Sequence, residues 1–256
     1  MDYEIYGGNI VRNLTGELDS FSDGRFDLVS GAPYEYFMLK IRAESAYDVK
    51  GLGSFTVFVL NKESRTTIKI SGLSGDVAEG DAVQCEGVAA TLSVHGGTAT
   101  LLVAGTAEEA SKHPAIMHTS SKDIYKVTKP WGHELWINGQ HPTYAIKQIF
   151  IKDKTKTSLQ FHNFKQETNI LFAGDARLHF NTAQDKPNLD VNEADVGNIL
   201  LSAVSSIDVK PPTLHRLEAV GDILLYEVST AHLDDVVRVM DDTKRPDGRL
   251  EKEHGA

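Results

Sequence analysis

The stretch Thr157-Ser-Leu-Gln-Phe-His-Asn-Phe-Lys-Gln-Glu-Thr-Asn-Ile-Leu-Phe-Ala-Gly174 spaces Gln160, His162 and Glu167 as in a metal-binding pair of β-strands. Residues two apart on a strand point to the same face, so Gln160 and His162 project together. Glu167 follows a short turn and can return toward the same point. An amide oxygen, an imidazole nitrogen and a carboxylate suit a divalent cation, so we predict a site for zinc, manganese, iron, cobalt or nickel.

A fourth ligand is expected from another part of the chain. The best candidate is His215, in the stretch Lys210-Pro-Pro-Thr-Leu-His-Arg-Leu217. The two prolines favour a rigid turn just before a strand, and that strand would present the histidine.

Three further stretches carry a family pattern in order. They are Lys129-Pro-Trp-Gly-His-Glu134, Tyr144-Ala-Ile-Lys147 and Leu233-Asp-Asp-Val-Val-Arg238-Val-Met-Asp-Asp-Thr-Lys-Arg245. Together with Ser158-Leu-Gln-x-His162, they resemble the type II, mannose-6-phosphate isomerase-like branch of the cupin superfamily, in which glutamine replaces the first histidine of the metal motif. The resemblance covers residues 122–250.

The resemblance implies one divalent metal, with zinc first among the candidates, held by Gln160, His162, Glu167 and His215. It also implies a metal-dependent sugar-phosphate isomerase that interconverts mannose 6-phosphate and fructose 6-phosphate or close relatives, in carbohydrate metabolism. Arg245 matches the terminal arginine of the family, and a guanidinium pairs with phosphate through two hydrogen bonds. Arg245 is therefore the predicted catalytic residue for phosphate or enediolate charge.

The chain departs from the family pattern at three turn glycines. Lys154 stands where the first motif opens with glycine, Pro212 replaces the glycine of a Pro-x-Gly, and Lys244 replaces the glycine before the terminal arginine. Because glycine serves turns, these changes are expected to alter loops more than metal ligands.

Several cations near the metal motif are candidates for an anionic substrate. Lys156 would share the face of Gln160 if the strand ran unbroken, and Arg238 lies in the closing segment, so both are predicted to bind substrate. Lys165 is a candidate catalytic base, as is Glu218, only because each flanks a ligand in sequence.

Composition limits the classes of function. The 256 residues suffice for one large or two ordinary domains, and 41% hydrophobic and 24% charged residues are typical of soluble globular proteins. A net charge of −10 argues against nucleic acid or an anionic membrane as a partner. No long apolar stretch or signal-peptide pattern occurs, so a cytoplasmic location is expected. The single cysteine, Cys85, is predicted to be a core residue.

Turn signals recur along the chain and helical periodicity is scarce, which predicts an all-β protein. The strands predicted in the first half are residues 37–42, 54–60, 67–71, 82–86, 91–95 and 98–105. Gly96 and Gly97 are predicted to close a hairpin between the last two of these strands.

The repeated β pattern predicts two tandem β-barrel, cupin-like domains, a bicupin, with the metal site in the C-terminal barrel. Residues 1–110 would form a degenerate cupin or another small β-sandwich without metal ligands. Residues 111–121 would be a linker, and residues 122–256 the metal-binding cupin domain. Cupins often pair through strand edges, so a homodimer is expected.

Two other functions remain open. One is a different metal-dependent cupin enzyme, a lyase, dioxygenase or epimerase, acting on a small polar molecule, because fold does not fix function. The other is a non-catalytic sugar-binding bicupin.

Overall fold

The computed structural model describes residues 2–5, 9–107, 113–138, 141–180, 191, 192, 194 and 196–254. The chain is all-β, as predicted, and it divides into two compact units. One unit combines residues 19–125 with 137–146, and we call it the N-terminal unit. The other combines residues 1–18, 126–136 and 147–256, and we call it the C-terminal unit.

The N-terminal unit is built from two antiparallel sheets. A six-stranded sheet has the order β11-β8-β6-β10-β4-β3, and a three-stranded sheet has the order β5-β9-β7. The strands are β3 (Gly24–Asp27), β4 (Glu35–Ile41), β5 (Ser45–Val49), β6 (Ser54–Lys62), β7 (Thr67–Ile70), β8 (Ala82–Glu86), β9 (Ala90–His95), β10 (Ala99–Thr106) and β11 (Ala115–Thr119). Their shared core is aliphatic and aromatic and includes Cys85, which is fully buried as predicted.

The predicted hairpin at Gly96 and Gly97 is wrong. β9 pairs with β5 and β7, whereas β10 pairs with β4 and β6, so the two glycines lie where the chain passes from one sheet to the other. A Cβ on Gly96 would lie 2.7 Å from the carbonyl oxygen of Arg65, and one on Gly97 would lie 2.3 Å from Oγ1 of Thr66. The glycines are needed because the chain passes close to a neighbouring turn.

The domain boundaries differ from those predicted. Within the predicted linker, residues 115–119 form β11, which pairs with β8, while residues 111 and 112 lie outside the described part of the chain. Residues 1–18, predicted to belong to the first domain, join the C-terminal unit because β2 pairs with β18. Local composition carries no sign of such a long-range pairing.

The C-terminal unit contains an eleven-stranded sheet whose main path is β1-β2-β18-β16-β19-β14-β13-β12. The helices and strands are β1 (Asp2–Ile5), β2 (Asn9–Asn13), α1 (Thr15–Ser20), β12 (Tyr125–Lys129), β13 (Gly132–Trp136), β14 (Tyr144–Ile151), β15 (Leu159–Phe161), β16 (Glu167–Phe180), β17 (Gly197–Ser202), β18 (Ser205–Val209), β19 (His215–Thr230), β20 (Val237–Met240) and α2 (Glu251–His254). A short 3-10 helix, Ser121–Asp123, precedes β12, and α1 and the ends of β12 and β14 extend past the unit boundaries.

Strand register brings the metal motif together. Gln160 on β15 lies opposite His215, the first residue of β19, so the turn of Lys210 to Thr213 delivers His215 beside the motif as predicted. Glu167, the first residue of β16, pairs with Ser229 near the other end of β19. Antiparallel pairing of three strands therefore fixes the candidate ligands without any helix.

Two of the three residues that stand in place of a family glycine adopt a backbone conformation typical of glycine. Lys154 and Lys244 have φ values of 58° and 57°, in the left-handed region that side chains rarely occupy. Each costs about 1–2 kcal/mol relative to glycine, and the turns persist because surrounding hydrogen bonds hold them. In the loop before the metal motif, the amide of Lys154 donates to the carbonyl of Ala219. The expected change in these loops is therefore smaller than the sequence suggests.

No helix in the described ranges is long and apolar enough to cross a membrane.

Gly174 closes the metal motif, and its replacement tests the close packing at that point. Its φ is 83°, and an added Cβ would lie 2.4 Å from the carbonyl oxygen of Asp222. We expect Gly174→Ala to lower the free energy of unfolding by about 2–4 kcal/mol. Gly221→Ala is the matched control, because Gly221 has a φ of 89° but open space around its Cβ, and should cost about 1 kcal/mol. Equal losses in urea denaturation would contradict the packing argument.

Candidate metal centre

His162, Glu167 and His215 form a buried triad in the C-terminal unit. Nε2 of His162 lies 3.4 Å from Oε2 of Glu167, and Nε2 of His215 lies 3.2 Å from Oε1 of the same carboxylate. The candidate ligand atoms all lie within 4.8 Å of one another. Ligand atoms about 2.1 Å from a tetrahedral zinc ion would be about 3.4 Å apart, so the spacing fits a shared cation.

Hydrogen bonds orient both imidazoles toward this point. Nδ1 of His162 contacts the carbonyl oxygen of Asp235, and Nδ1 of His215 lies 2.9 Å from the carbonyl oxygen of Thr213. A carbonyl only accepts, so Nδ1 carries the hydrogen in each ring and Nε2 presents its lone pair. Both Nε2 atoms are buried and have no hydrogen-bond partner among the described residues. Two orphaned acceptors aimed at one carboxylate are what a bound metal would satisfy.

The electrostatics favour the metal-binding protonation states of Glu167 and His162. Burial would raise the pKa of Glu167, but the Lys165 ammonium, 2.5 Å away, lowers it well below its usual value. Asn169 donates a further hydrogen bond of 3.0 Å to the carboxylate. Burial lowers the pKa of His162, which keeps its imidazole neutral. A carboxylate and a neutral imidazole are the forms that bind metals.

Gln160, the fourth predicted ligand, lies beside the triad and lines the same pocket. Its Oε1 accepts a 2.6 Å hydrogen bond from the hydroxyl of Ser158. An amide oxygen has two lone pairs, so one remains for a cation. Gln160 as a ligand stays a prediction.

Asp235 holds the loop between the candidate ligands His162 and Glu167. Its carboxylate accepts hydrogen bonds from the backbone amides of Asn163, Phe164 and Lys165 at 2.6–3.0 Å. Its own carbonyl contacts Nδ1 of His162. One residue therefore fixes both the loop and the ring orientation, a role that sequence analysis missed.

The triad opens into a pocket with a cavity volume of about 110 Å³, lined entirely by the C-terminal unit. A chain of alternating charges runs along it. Lys165 lies 3.0 Å from Glu227, and Lys147 lies 3.5 Å from the same carboxylate. Each lysine is at least nine-tenths buried. A buried charge without a partner is strongly destabilising, so each member of this network depends on its oppositely charged neighbours.

Two arginines also line the pocket. Arg245 donates two hydrogen bonds to Oδ2 of Asp241, from Nε at 2.9 Å and from Nη2 at 2.6 Å. Arg238 donates to the carbonyls of Pro246 and Gly248, and its buried Nε has no partner in the described structure. Both lie where sequence analysis placed them, in the candidate site, and their roles stay predictions.

Two predicted residues lie outside the pocket lining. β15 begins only at Leu159, so the strand face assumed for Lys156 does not extend to it, and Nζ of Lys156 lies 3.9 Å from Asp242. Glu218 bonds to His179 at 2.8 Å instead of facing the pocket. The structure therefore gives no support to Lys156 as a substrate ligand or Glu218 as a base.

Sequence analysis left six charged pocket residues without roles. Lys129, Glu134 and Lys147 were quoted only as motif letters, and Glu227, Arg249 and Glu253 were not considered. A signal existed for Glu227, since it is a charged residue within the apolar strand Ile223-Leu-Leu-Tyr-Glu-Val228. A charge at a buried strand position indicates a site.

Comparisons with known proteins agree with this geometry. Residues 117–241, just under half of the chain, match the family described as mannose-6-phosphate isomerase C-terminal. The resemblance that the motifs predicted is thereby confirmed for the C-terminal half. No curated protein matches the sequence.

Solved structures resemble the chain over most of its length. Protein Ylba from E. coli has a TM-score of 0.65 and 10% identity, with 90% of this chain and 93% of that chain covered. A putative glyoxylate-induced protein from Pseudomonas aeruginosa has a TM-score of 0.64 and 10% identity, with 90% and 91% covered. Oxalate decarboxylase from Lactobacillus farciminis has a TM-score of 0.58 and 11% identity, with 93% and 86% covered. At these identities, the likeness shows a cupin-like fold alone.

The triad predicts one metal ion per chain. We expect His162→Ala and His215→Ala each to lose most of the metal measured by elemental analysis after dialysis, because each removes one of three ligands. His179→Ala is the matched control, since this histidine bonds to Glu218 outside the triad and should keep the metal. Retention of full metal by both triad variants would contradict the site.

Asp235 predicts a pH dependence of stability in the metal-free protein. Burial would raise its pKa, but the three backbone amides lower it from 3.8 to about 2. The ionised carboxylate of Asp235 therefore stabilises the folded chain fully when the pH is above the pKa of an unfolded aspartate, about 4. This stabilisation is lost as the pH falls from about 4 through the folded-state pKa of about 2. Asp235→Asn should be less stable than the parent at pH 7, with the gap in unfolding free energy narrowing toward pH 3. Exposed Asp234→Asn should show no such gap, and a gap that widens on acidification would refute the assignment.

Proposed function

We propose, from the match of residues 117–241 to the mannose-6-phosphate isomerase C-terminal family, that this chain is a metal-dependent sugar-phosphate isomerase. The observation that carries the proposal is the pair of unpartnered Nε2 atoms of His162 and His215 facing Glu167, beside a pocket rich in buried cations. The substrate class is an aldose or ketose phosphate such as mannose 6-phosphate.

The reaction needs a cation for substrate oxygens, a group that moves a proton between adjacent carbons, and a site for phosphate. His162, Glu167, His215 and Gln160 would hold a divalent cation, which would polarise the carbonyl and hydroxyl oxygens of the sugar. Arg245 and Arg238 also line the pocket and would supply positive charge for the phosphate. Buried aromatic and aliphatic side chains of the lining, including Trp131 and Trp136, would keep water away from the substrate.

Lys165 is a poor general base. Burial would lower its pKa, but Glu167 and Glu227 raise it, so the ammonium stays protonated near neutral pH. A protonated lysine beside the triad can donate a hydrogen bond to a substrate oxygen or stabilise enediolate charge. Its proposed role is therefore that of an acid or electrostatic group.

Glu227 is the better candidate for moving the proton. It is buried, lines the pocket and shares the Lys165 ammonium with the ligand Glu167, so it lies close to the triad. A carboxylate held by two ammonium groups is oriented for transfer between adjacent carbons.

We also propose that the two units correspond to the two halves of a bicupin with the metal in the C-terminal half. The likeness to known structures over at least 90% of this chain supports this arrangement. The N-terminal unit would then be the half without ligands, and a homodimer remains the expected assembly.

A second candidate function is a metal-dependent lyase acting on a small carboxylic acid. The likeness to an oxalate decarboxylase structure over 93% of this chain favours it. The buried cations of the pocket would suit a carboxylate as well as a phosphate.

The proposed activity predicts metal-dependent turnover of mannose 6-phosphate. In a coupled assay for fructose 6-phosphate, chelation should abolish turnover, and zinc, manganese, iron, cobalt or nickel should restore it. Oxalate should not be consumed under the same conditions. Absence of isomerisation with every metal, in protein that binds one metal per chain, would refute the isomerase, and oxalate consumption would establish the lyase instead.

The proton-transfer role predicts that Glu227→Gln lowers kcat by about 10²–10⁴-fold while metal content stays near one per chain. Glu218→Gln on the same strand is the control and should keep parental kcat, since Glu218 lies outside the pocket. Unchanged kcat in Glu227→Gln would remove Glu227 from the mechanism.

A further inference from the structure

The last described residues of the chain fold into the pocket. Residues 248–250 and Glu253 all line it, and Arg249 lies with its guanidinium carbon 5.2 Å from the centroid of the Trp136 ring. Leu250 is buried. The short helix α2 therefore forms part of the pocket wall next to Arg245.

Glu253 places its carboxylate between two cations of the pocket, Lys129 and Arg245. Its Oε2 lies 2.8 Å from Nζ of Lys129, and its Oε1 lies 3.6 Å from Nη1 of Arg245. All three side chains are about nine-tenths buried. Lys129 and Arg245 come from opposite ends of the C-terminal half, so the fold, not local sequence, builds this cation pair.

The geometry resembles a binding site for an oxyanion in which the carboxylate of Glu253 takes the place of the ligand. A carboxylate that accepts from a lysine and faces an arginine imitates two oxygens of a phosphate group. Arg238 is a third cation of the pocket lining and donates hydrogen bonds to the carbonyls of Pro246 and Gly248. Its buried Nε has no partner among the described residues, which leaves one donor for a further acceptor.

We propose that Lys129 and Arg245 form the subsite for the phosphate group of the substrate, and that Glu253 occupies this subsite until the phosphate displaces it. The chemical class of the ligand is a phosphate monoester. The inference rests on the proposed function for the identity of the ligand, and the subsite itself rests on the ion pairs of Glu253. α2 then acts as a plug that the substrate releases.

The plug predicts tighter phosphate binding when its charge is removed. In chelated protein, so that no metal contributes, inorganic phosphate should bind Glu253→Gln about tenfold more tightly than the parent in calorimetric titration. Exposed Glu251→Gln on the same helix is the matched control for net charge, and its affinity should equal that of the parent. Lys129→Gln added to Glu253→Gln should bring the affinity back down.

Results that would overturn the phosphate subsite can be told apart from results that would overturn only the proposed function. Equal or weaker phosphate binding by Glu253→Gln, or equal tightening by Glu251→Gln, refutes it. Stronger binding of acetate than of phosphate by Glu253→Gln assigns the site to a carboxylate and overturns the phosphate assignment. The expected phosphate result without isomerase turnover would keep the subsite and refute only the proposed function.

A second measurement needs no variant and so does not depend on how the substitutions fold. Phosphate added to the parent chain should speed hydrogen exchange of amides in residues 249–254, because the helix leaves the pocket, while strands β13 and β14 exchange no faster. Unchanged or slower exchange in residues 249–254 at saturating phosphate would show that Glu253 is not displaced, and would overturn the proposal.

Discussion

The buried carboxylate of Glu167 is the constraint around which the C-terminal unit is organised. An unpaired carboxylate away from water would cost several kcal/mol, so the fold must surround it with positive charge and hydrogen-bond donors. Lys165 and Asn169 supply part of this compensation from the same strand region. The two imidazoles add lone pairs instead of donors, since their Nδ1 hydrogens are used by backbone carbonyls. The remaining deficit of positive charge is what a divalent cation provides.

The other charges of the pocket are paired in the same way. Lys165 is shared with Glu227 and Glu227 with Lys147, and a second set of ion pairs joins Lys129 to Glu253 and Glu253 to Arg245. Such a network is costly to break at one member, because the partner is left buried without compensation. The same lining holds both the candidate metal site and the buried cations Lys129 and Arg245.

The sequence predicted the candidate site residues whose positions depend on short sequence spacings, and it missed those whose positions depend on contacts between distant parts of the chain. The spacing of His162 and Glu167 and the turn before His215 pointed to three residues that the structure brings together, because these features depend on local geometry. The prediction of a hairpin at Gly96 was wrong because glycine is required both in tight turns and where two chain segments approach closely, and the sequence does not distinguish the two. The face assigned to Lys156 failed because β15 starts three residues later. Asp235, Glu227 and Glu253 act only through contacts that the fold creates.

The central claim is that His162, Glu167 and His215 hold one metal ion, and diffraction at the metal absorption edge tests it most directly. Crystals grown with zinc or manganese should show one strong anomalous peak per chain, about 2.0–2.2 Å from Nε2 of both histidines and from a carboxylate oxygen of Glu167. A peak elsewhere, or none while the triad keeps its present geometry, would contradict the account.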